Sequence, residues 1–248
     1  MFNLAEMEDW EFGAAGISNP RYSTLKRYFE LFPKIIAVPG VVAEFGVAKG
    51  NSLITSGLIL KSLNSDKKIL GFDTFSGFPK YSKEDELENF KFLFDHGRIT
   101  TTHYSKITKN IDYIEARGSS LGVNELSNSR DFSDTSISLV QNKIKFFELE
   151  DKIDLISGDF TNNLLPNFGQ LVFSIILIDS DLYESYAKIL PVLWERLSPG
   201  GYIYLDEYYS LKFPGPKIAV DDFVAKYGAN LIRLNDWLDF ERWALYKK

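Results

Sequence analysis

A series of short apolar runs constrains the fold of this chain most, each closed by a glycine or an acidic residue and most separated by a helical stretch. They are Val41–Phe45, Lys68–Phe72, Ile153–Ser157, Ser174–Ile178 and Tyr202–Leu205. Runs this short, rich in Val, Ile, Leu and Phe, read as strands buried on both faces, as in a parallel sheet. Between them, Ser52–Leu63 and Tyr183–Leu197 place apolar residues at helical spacing. Ser133-Asp134 can cap a further helix running to about Glu148, because a side-chain oxygen there satisfies free backbone N–H groups. Strand alternating with helix predicts an α/β fold on an open, doubly wound, mostly parallel sheet with helices on both faces.

Three regions depart from this rhythm. The first 36 residues read as helical and aromatic, a lid or dimer element ahead of the sheet. The polar stretch 80–133 carries Thr100-Thr101-Thr102 and Gly118-Ser119-Ser120 and is long for a connection, which predicts an insertion or lid over a binding site. The tail Leu231–Lys248 reads as a strand, a turn near Asn235-Asp236 and a last strand around Arg242–Tyr246, a closing antiparallel hairpin. With no internal repeat, 248 residues are expected to form one domain.

Composition narrows the chemistry. A net charge of −6 and the lack of any Lys/Arg-rich run argue against a nucleic-acid partner. The chain contains no cysteine, which removes disulfides, thiolate metal sites and cysteine nucleophiles together. His96 and His103 are the two histidines, both in the polar stretch and expected to be solvated. A bound metal would therefore be held by oxygen, which selects a hard divalent ion such as Mg²⁺. The acidic N-terminus does not read as a signal peptide, and no apolar run approaches the ~20 residues that span a bilayer. A cytoplasmic protein with no membrane partner is the expectation.

Four motifs carry the candidate chemistry. In Glu44-Phe45-Gly46-Val47-Ala48-Lys49-Gly50-Asn51-Ser52 a strand ends in an acid, turns through two glycines and opens a helix. Such a turn lets a ligand approach the backbone and offers it the helix's free N–H groups. In Gly71-Phe72-Asp73-Thr74-Phe75 the acid ends the next strand, where it can accept hydrogen bonds from the ribose hydroxyls of a nucleoside. Gly158-Asp159-Phe160 closes another strand, and Asp159 there suits an adenine amino group or a simple turn. Finally, Asp179-Ser180-Asp181 ends one strand and Asp206-Glu207 the next. In a parallel sheet Asp179, Asp206 and Glu207 then stand side by side at the carboxyl edge, and carboxylates that close repel unless a cation neutralises them.

At these residues the sequence resembles the macrocin O-methyltransferase (TylF-type) family, which methylates sugar hydroxyls on antibiotics and related glycosides. The matching segments are EFGVAKGNS, GFDTFSGFP, DFSDTSISLVQNKIKFFELEDKIDLISGDF, IDSDLYESYAKILPVLWERLSPGGYIYLDEY and KIAVDDF, together more than half the chain. The resemblance implies the Rossmann-like class I methyltransferase fold, a seven-stranded sheet with a reversed last strand. It implies S-adenosylmethionine over the first two strand ends, matching Glu44, Gly46, Gly50, Ser52, Asp73 and Thr74 here; Asn51, Phe75 and Asp159, in the same motifs, complete the expected cofactor site. It implies Mg²⁺ held by Asp179, Asp206 and Glu207, although the family usually places a second aspartate where Glu207 stands. The longer insertion here means that the family's antibiotic substrates need not carry over.

In the mechanism this suggests, a metal-polarised hydroxyl attacks the sulfonium methyl group, with Asp179 or Asp181 taking its proton. Tyr183, Tyr208 and Tyr209, beside the acids in sequence, are candidates for stacking on a sugar ring or for core packing. The acceptor is expected to be a small molecule, a sugar or glycoside. Rival readings are a metal-dependent methyltransferase of phenols or catechols, a nicotinamide-dependent oxidoreductase, against which the absence of GxGxxG counts, and a methyltransferase-like binding protein. A homodimer is left open.

Overall fold

The computed structural model describes residues 26–127, 130–164, 168–237 and 240–248. In chain order the elements are α1 (Lys26–Ile35), β1 (Val41–Phe45), α2 (Asn51–Ser62), β2 (Ile69–Asp73), α3 (Asn89–Asp95), α4 (Thr101–Ala116), α5 (Ile137–Phe146) and β3 (Ile153–Ser157). They continue through β4 (Phe173–Ile178), α6 (Tyr183–Arg196), β5 (Leu197–Leu205), α7 (Gly215–Tyr227), β6 (Asn230–Trp237) and β7 (Phe240–Tyr246).

The strands form one seven-stranded sheet in the order β3-β2-β1-β4-β5-β7-β6. β1 pairs in parallel with both β2 and β4, β2 with β3, and β4 with β5, while β7 runs antiparallel between β5 and β6. The expected fold class, with its antiparallel C-terminal hairpin, is the one observed. The strand order reverses between β1 and β4, and a crevice opens at their carboxyl ends, as such reversals require.

Side-chain alternation sends each central strand into two cores. Val42, Ile175 and Leu177 join Leu53, Leu58 and Phe147 beneath α1, α2 and α5. Ala43, Phe45, Ile176 and Ile178 join Tyr186, Leu190, Val220 and Phe223 beneath α6 and α7. β4 is buried at every position, so both of its faces contribute, at about 1.5–3 kcal/mol for each large side chain. This rigid centre carries the strand ends from which the site is built.

Four local expectations are corrected. The helix expected from Ser133-Asp134 begins at Ile137, capped by Ser136, whose Oγ accepts from Leu139 N–H. Residues 133–135 are drawn instead against the β1 turn, where Thr135 Oγ1 donates to the Ala48 carbonyl. The stretch 80–133 is substantially helical: Thr100 caps α4 through a bond from His103 N–H, so the threonine run starts a helix. His96 is exposed as expected, but His103 is buried, because α4 packs it against Tyr209. Asn235-Asp236 lie within β6, where a register shift between Leu234 and Trp237 accommodates these turn-formers. The expected N-terminal lid is described only from α1 onward, since residues 1–25 lie outside the described residues. Among the described residues no helix is long and apolar enough to cross a membrane.

Candidate active site

The parallel ladder runs one residue past the strand ends. Gly46 N–H donates to the Phe72 carbonyl, Asp179 N–H to the Phe45 carbonyl and Gly158 N–H to the Asp73 carbonyl, each at 2.9 Å. This aligns the motif residues along the carboxyl edge. Gly46 has φ +93°, and a Cβ there would stand 1.7 Å from the Asp179 carbonyl oxygen, so only glycine lets β1 and β4 approach this closely.

Around this edge lies a cavity of about 230 Å³. One wall is the β1 turn, with Gly46, Val47, Ala48, Asn51 and Ser52; the floor carries Asp73, Thr74, Asp159, Asp179, Ser180 and Asp181. Gly77, Phe78, Pro79 and Phe132 complete it. Asp73 ties two strand ends together: Oδ2 accepts from Val47 and Ala48 N–H at 2.7 and 2.8 Å, and Oδ1 from Phe75 N–H at 2.6 Å. Thr74 Oγ1 donates to the Gly77 carbonyl. Asp159 Oδ1 accepts from both the N–H and the hydroxyl of Thr161, and Oδ2 from Asn162. Asn51 Oδ1 accepts from Lys143, whose ammonium also reaches the Lys49 carbonyl and pins the turn to α5.

Three of the residues expected at this cavity do not line it. Glu44 is fully buried behind the turn, with Oε1 accepting from Ser52 Oγ at 2.5 Å and Oε2 left without a partner. Burial above all, with Asp73 and Asp206 adding to it, pushes the Glu44 carboxyl up to about 8 against the opposing bond from Ser52. Gly50 sits at φ +80° as the cap residue of α2, and a Cβ there would press on Val140. Phe75, at φ +53°, turns its ring into the core under α2.

Beside the cavity stand the acids. Ile178 pairs with Leu205 in the parallel register, which brings Asp179 and the short turn Asp206–Tyr209 together. Carboxylate oxygens of Asp179, Asp206 and Glu207 lie within 4.8 Å of one another. Burial first, then Asp206 and Asp181, raises the Asp179 carboxyl well above its ordinary range. Burial and then Asp179 do the same to Glu207. Asp181, in the left-handed region at φ +59°, is raised to about 7 by burial and Asp206, with Lys212 opposing. Glu207 Oε2 accepts from Tyr186 OH at 2.6 Å, and Arg242 Nη1 lies 3.5 Å from Asp206 Oδ1. One guanidinium against three carboxylates leaves an excess of negative charge, and an all-oxygen set of this size fits a hard divalent cation.

Tyr186 and Arg242 were not singled out from the sequence. Arg242 reaches Asp206 only because β7 folds back beside β5 with Leu205 opposite Trp243, a pairing without a local sequence signal. The tyrosines expected near a sugar have protein partners of their own. Tyr183 packs against α7 and the helical insertion, and Tyr208 donates from its hydroxyl to Asp221 while accepting from Lys217.

Comparison with known proteins bears on this arrangement. Residues 119–237 match the family model described as macrocin-O-methyltransferase (TylF). Over that segment the chain is similar to the TylF family. The matched segment includes the three clustered acids and the insertion's end, while the glycine turn and Asp73 lie ahead of it. The chain is 23% identical over 193 residues to an 8-demethyl-8-(2,3-dimethoxy-alpha-L-rhamnosyl)-tetracenomycin-C 4'-O-methyltransferase of Streptomyces olivaceus, covering 77% of this chain and 60% of that protein. It is 26% identical over 191 residues to a demethyldecarbamoylnovobiocin O-methyltransferase of Streptomyces niveus, with the same shares covered. A mycinamicin III 3''-O-methyltransferase of Micromonospora griseorubida is 25% identical over 193 residues, covering 77% of this chain and 63% of its own. The chain thus spans about 60% of the length of these relatives. The O-methyltransferase NovP shares the fold at a TM-score of 0.65 and 21% identity, covering 94% of this chain and 81% of its own. The calicheamicin methyltransferase CalS11 does so at 0.62 and 21%, covering 90% and 77%.

Proposed function

We propose that the chain is an S-adenosylmethionine-dependent O-methyltransferase acting on a hydroxyl of a sugar or glycosylated small molecule with the assistance of Mg²⁺. The observation that carries this reading is the double membership of Asp179, which lines the strand-end cavity and also belongs to the triplet of acids. A donor site and an acceptor site then share one side chain. The match of residues 119–237 to the TylF family model and the rhamnosyl group in the name of one relative support the same assignment.

When bound, S-adenosylmethionine supplies a methyl group on a sulfonium centre, and Mg²⁺ supplies a charge that lowers the pKa of a hydroxyl brought against it. Asp73 would accept the ribose hydroxyls, its carboxylate oriented by three backbone N–H groups. Asp159 would take the adenine amino group, steadied by Thr161 and Asn162. Gly46 keeps the β1 turn bare, so that the backbone of 46–48 can approach the donor. Asp179, Asp206 and Glu207 would hold the cation, with Tyr186 fixing Glu207 and Arg242 fixing Asp206. Asp179 or its neighbour Asp181 would accept the proton of the acceptor hydroxyl. Phe78 and Phe132, with ring centroids 5.2 Å apart, form an apolar wall that excludes water from that side.

The test is transfer of labelled methyl groups to a panel of glycosides and catechols, with Mg²⁺ or with EDTA. Transfer to glycosides that EDTA suppresses is expected, and Asp179→Ala should lower it at least about a hundredfold, far more than it weakens S-adenosylhomocysteine binding. Full turnover by Asp179→Ala would contradict the assignment. Methylation of catechols alone would move the acceptor class to phenols.

A further inference from the structure

The turn Asp206–Tyr209 contributes two of the three clustered acids but little of its own rigidity: Ser210 N–H to the Glu207 carbonyl, at 3.0 Å, closes it. Tyr186 and Arg242 hold the two acids themselves, and groups from the insertion hold the exit of the turn. His103 of α4, 4% exposed, places Nε2 2.8 Å from the Ser210 carbonyl oxygen. A carbonyl can only accept, so this nitrogen carries the proton and donates. The same imidazole stacks on Tyr209, with centroids 3.8 Å apart and planes at 16°. Two turns along α4, Asn110 Nδ2 donates to the Leu211 carbonyl at 3.0 Å. α4 thus grips three consecutive residues, Tyr209 to Leu211, beginning two positions after Glu207.

We propose that His103 is a positioning residue for the cation site: through the Ser210 carbonyl and the Tyr209 ring it sets where Asp206 and Glu207 stand. This rests on the metal reading above. The helical insertion then acts as a clamp on the metal-bearing turn and carries part of the cation affinity without touching the cation. Carboxylates on a turn so short move with its exit, and displacements of half an ångström are enough to degrade a coordination sphere. Asp73, Asp159 and the β1 turn have no bond to α4, so donor binding should not follow.

Titration calorimetry of MgCl₂ into the full chain, with S-adenosylhomocysteine titrated separately in EDTA, tests this. His103→Ala should weaken Mg²⁺ binding about tenfold, while S-adenosylhomocysteine affinity stays unchanged. His103→Gln, whose amide can still donate to the Ser210 carbonyl, should recover most of that loss, and Asn110→Ala should weaken Mg²⁺ binding by a smaller factor. Unchanged Mg²⁺ affinity in His103→Ala would overturn the inference, as would a loss of both affinities in step in His103→Ala and His103→Gln, which marks a purely structural role. Absence of Mg²⁺ binding by the wild type would overturn the metal reading, and this inference with it.

Discussion

Glu44 shows how burial rather than position in a motif decides what a residue does. Its carboxyl is enclosed, holds one hydroxyl partner and titrates near 8 in place of its ordinary 4.5. The sign follows from linkage: the unfolded chain gives up this proton first, so stability is full below about 4.5 and falls as pH rises through about 8. Glu44→Gln removes the titrating group while keeping an oxygen for Ser52. Urea midpoints measured from pH 5 to pH 8 should fall more steeply for the wild type than for this variant, with a difference on the order of a few kcal/mol over the range. Parallel pH dependences would contradict the assignment. The strand-end acids were legible as strand-end acids, because each closes an apolar run. That Glu44 lies behind the cavity and Asp73 on its floor was not, since both are acids in or at the end of a strand followed by a turn. The difference lies in side-chain direction, and in the Ser52 hydroxyl that Glu44 meets in the first turn of α2.

At the level of elements, the β1 turn depends on one glycine. Gly46→Ala would drive a methyl group into the Asp179 carbonyl and force an L-residue to φ +93°. Both effects together should cost about 2–4 kcal/mol and weaken donor binding, because the shifted strand end is the cavity's own wall. Gly118→Ala is the control: its φ is +76°, but nothing lies within 4 Å of the added methyl. That variant should lose no more than about 1–2 kcal/mol and leave ligand binding alone. Equal losses by urea denaturation would show that the β1–β4 approach is not what demands the glycine. The five strand runs could be read because each is short, rich in Val, Ile, Leu or Phe and closed by a glycine or an acid, although β3 exposes Asp154 and Ser157. The helices of 80–133 could not, because α4 is largely exposed and buries only His103, Ile107 and Ile114 along its face. A helix that buries a histidine among threonines and lysines carries little periodic signal. The same weakness hid the clamp that His103 makes on the acid-bearing turn.

Over the whole molecule, the site follows from topology. Reversal of strand order between β1 and β4 opens the crevice, and the parallel register from Ile178 to Leu205 lays Asp206 and Glu207 beside it. Alternation of strand and helix was enough to anticipate this much. The return of β7 next to β5 was anticipated as a hairpin, but not the delivery of Arg242 to Asp206, which depends on antiparallel register across a gap of thirty-six positions. The most direct measurement is calorimetric titration of S-adenosylmethionine into the chain, with NAD titrated in parallel and Asp73→Asn as the site control. One-to-one binding near micromolar affinity, about −8 kcal/mol, is expected for S-adenosylmethionine, weakened at least about tenfold in Asp73→Asn and absent for NAD. Binding of NAD without any heat from S-adenosylmethionine would contradict it.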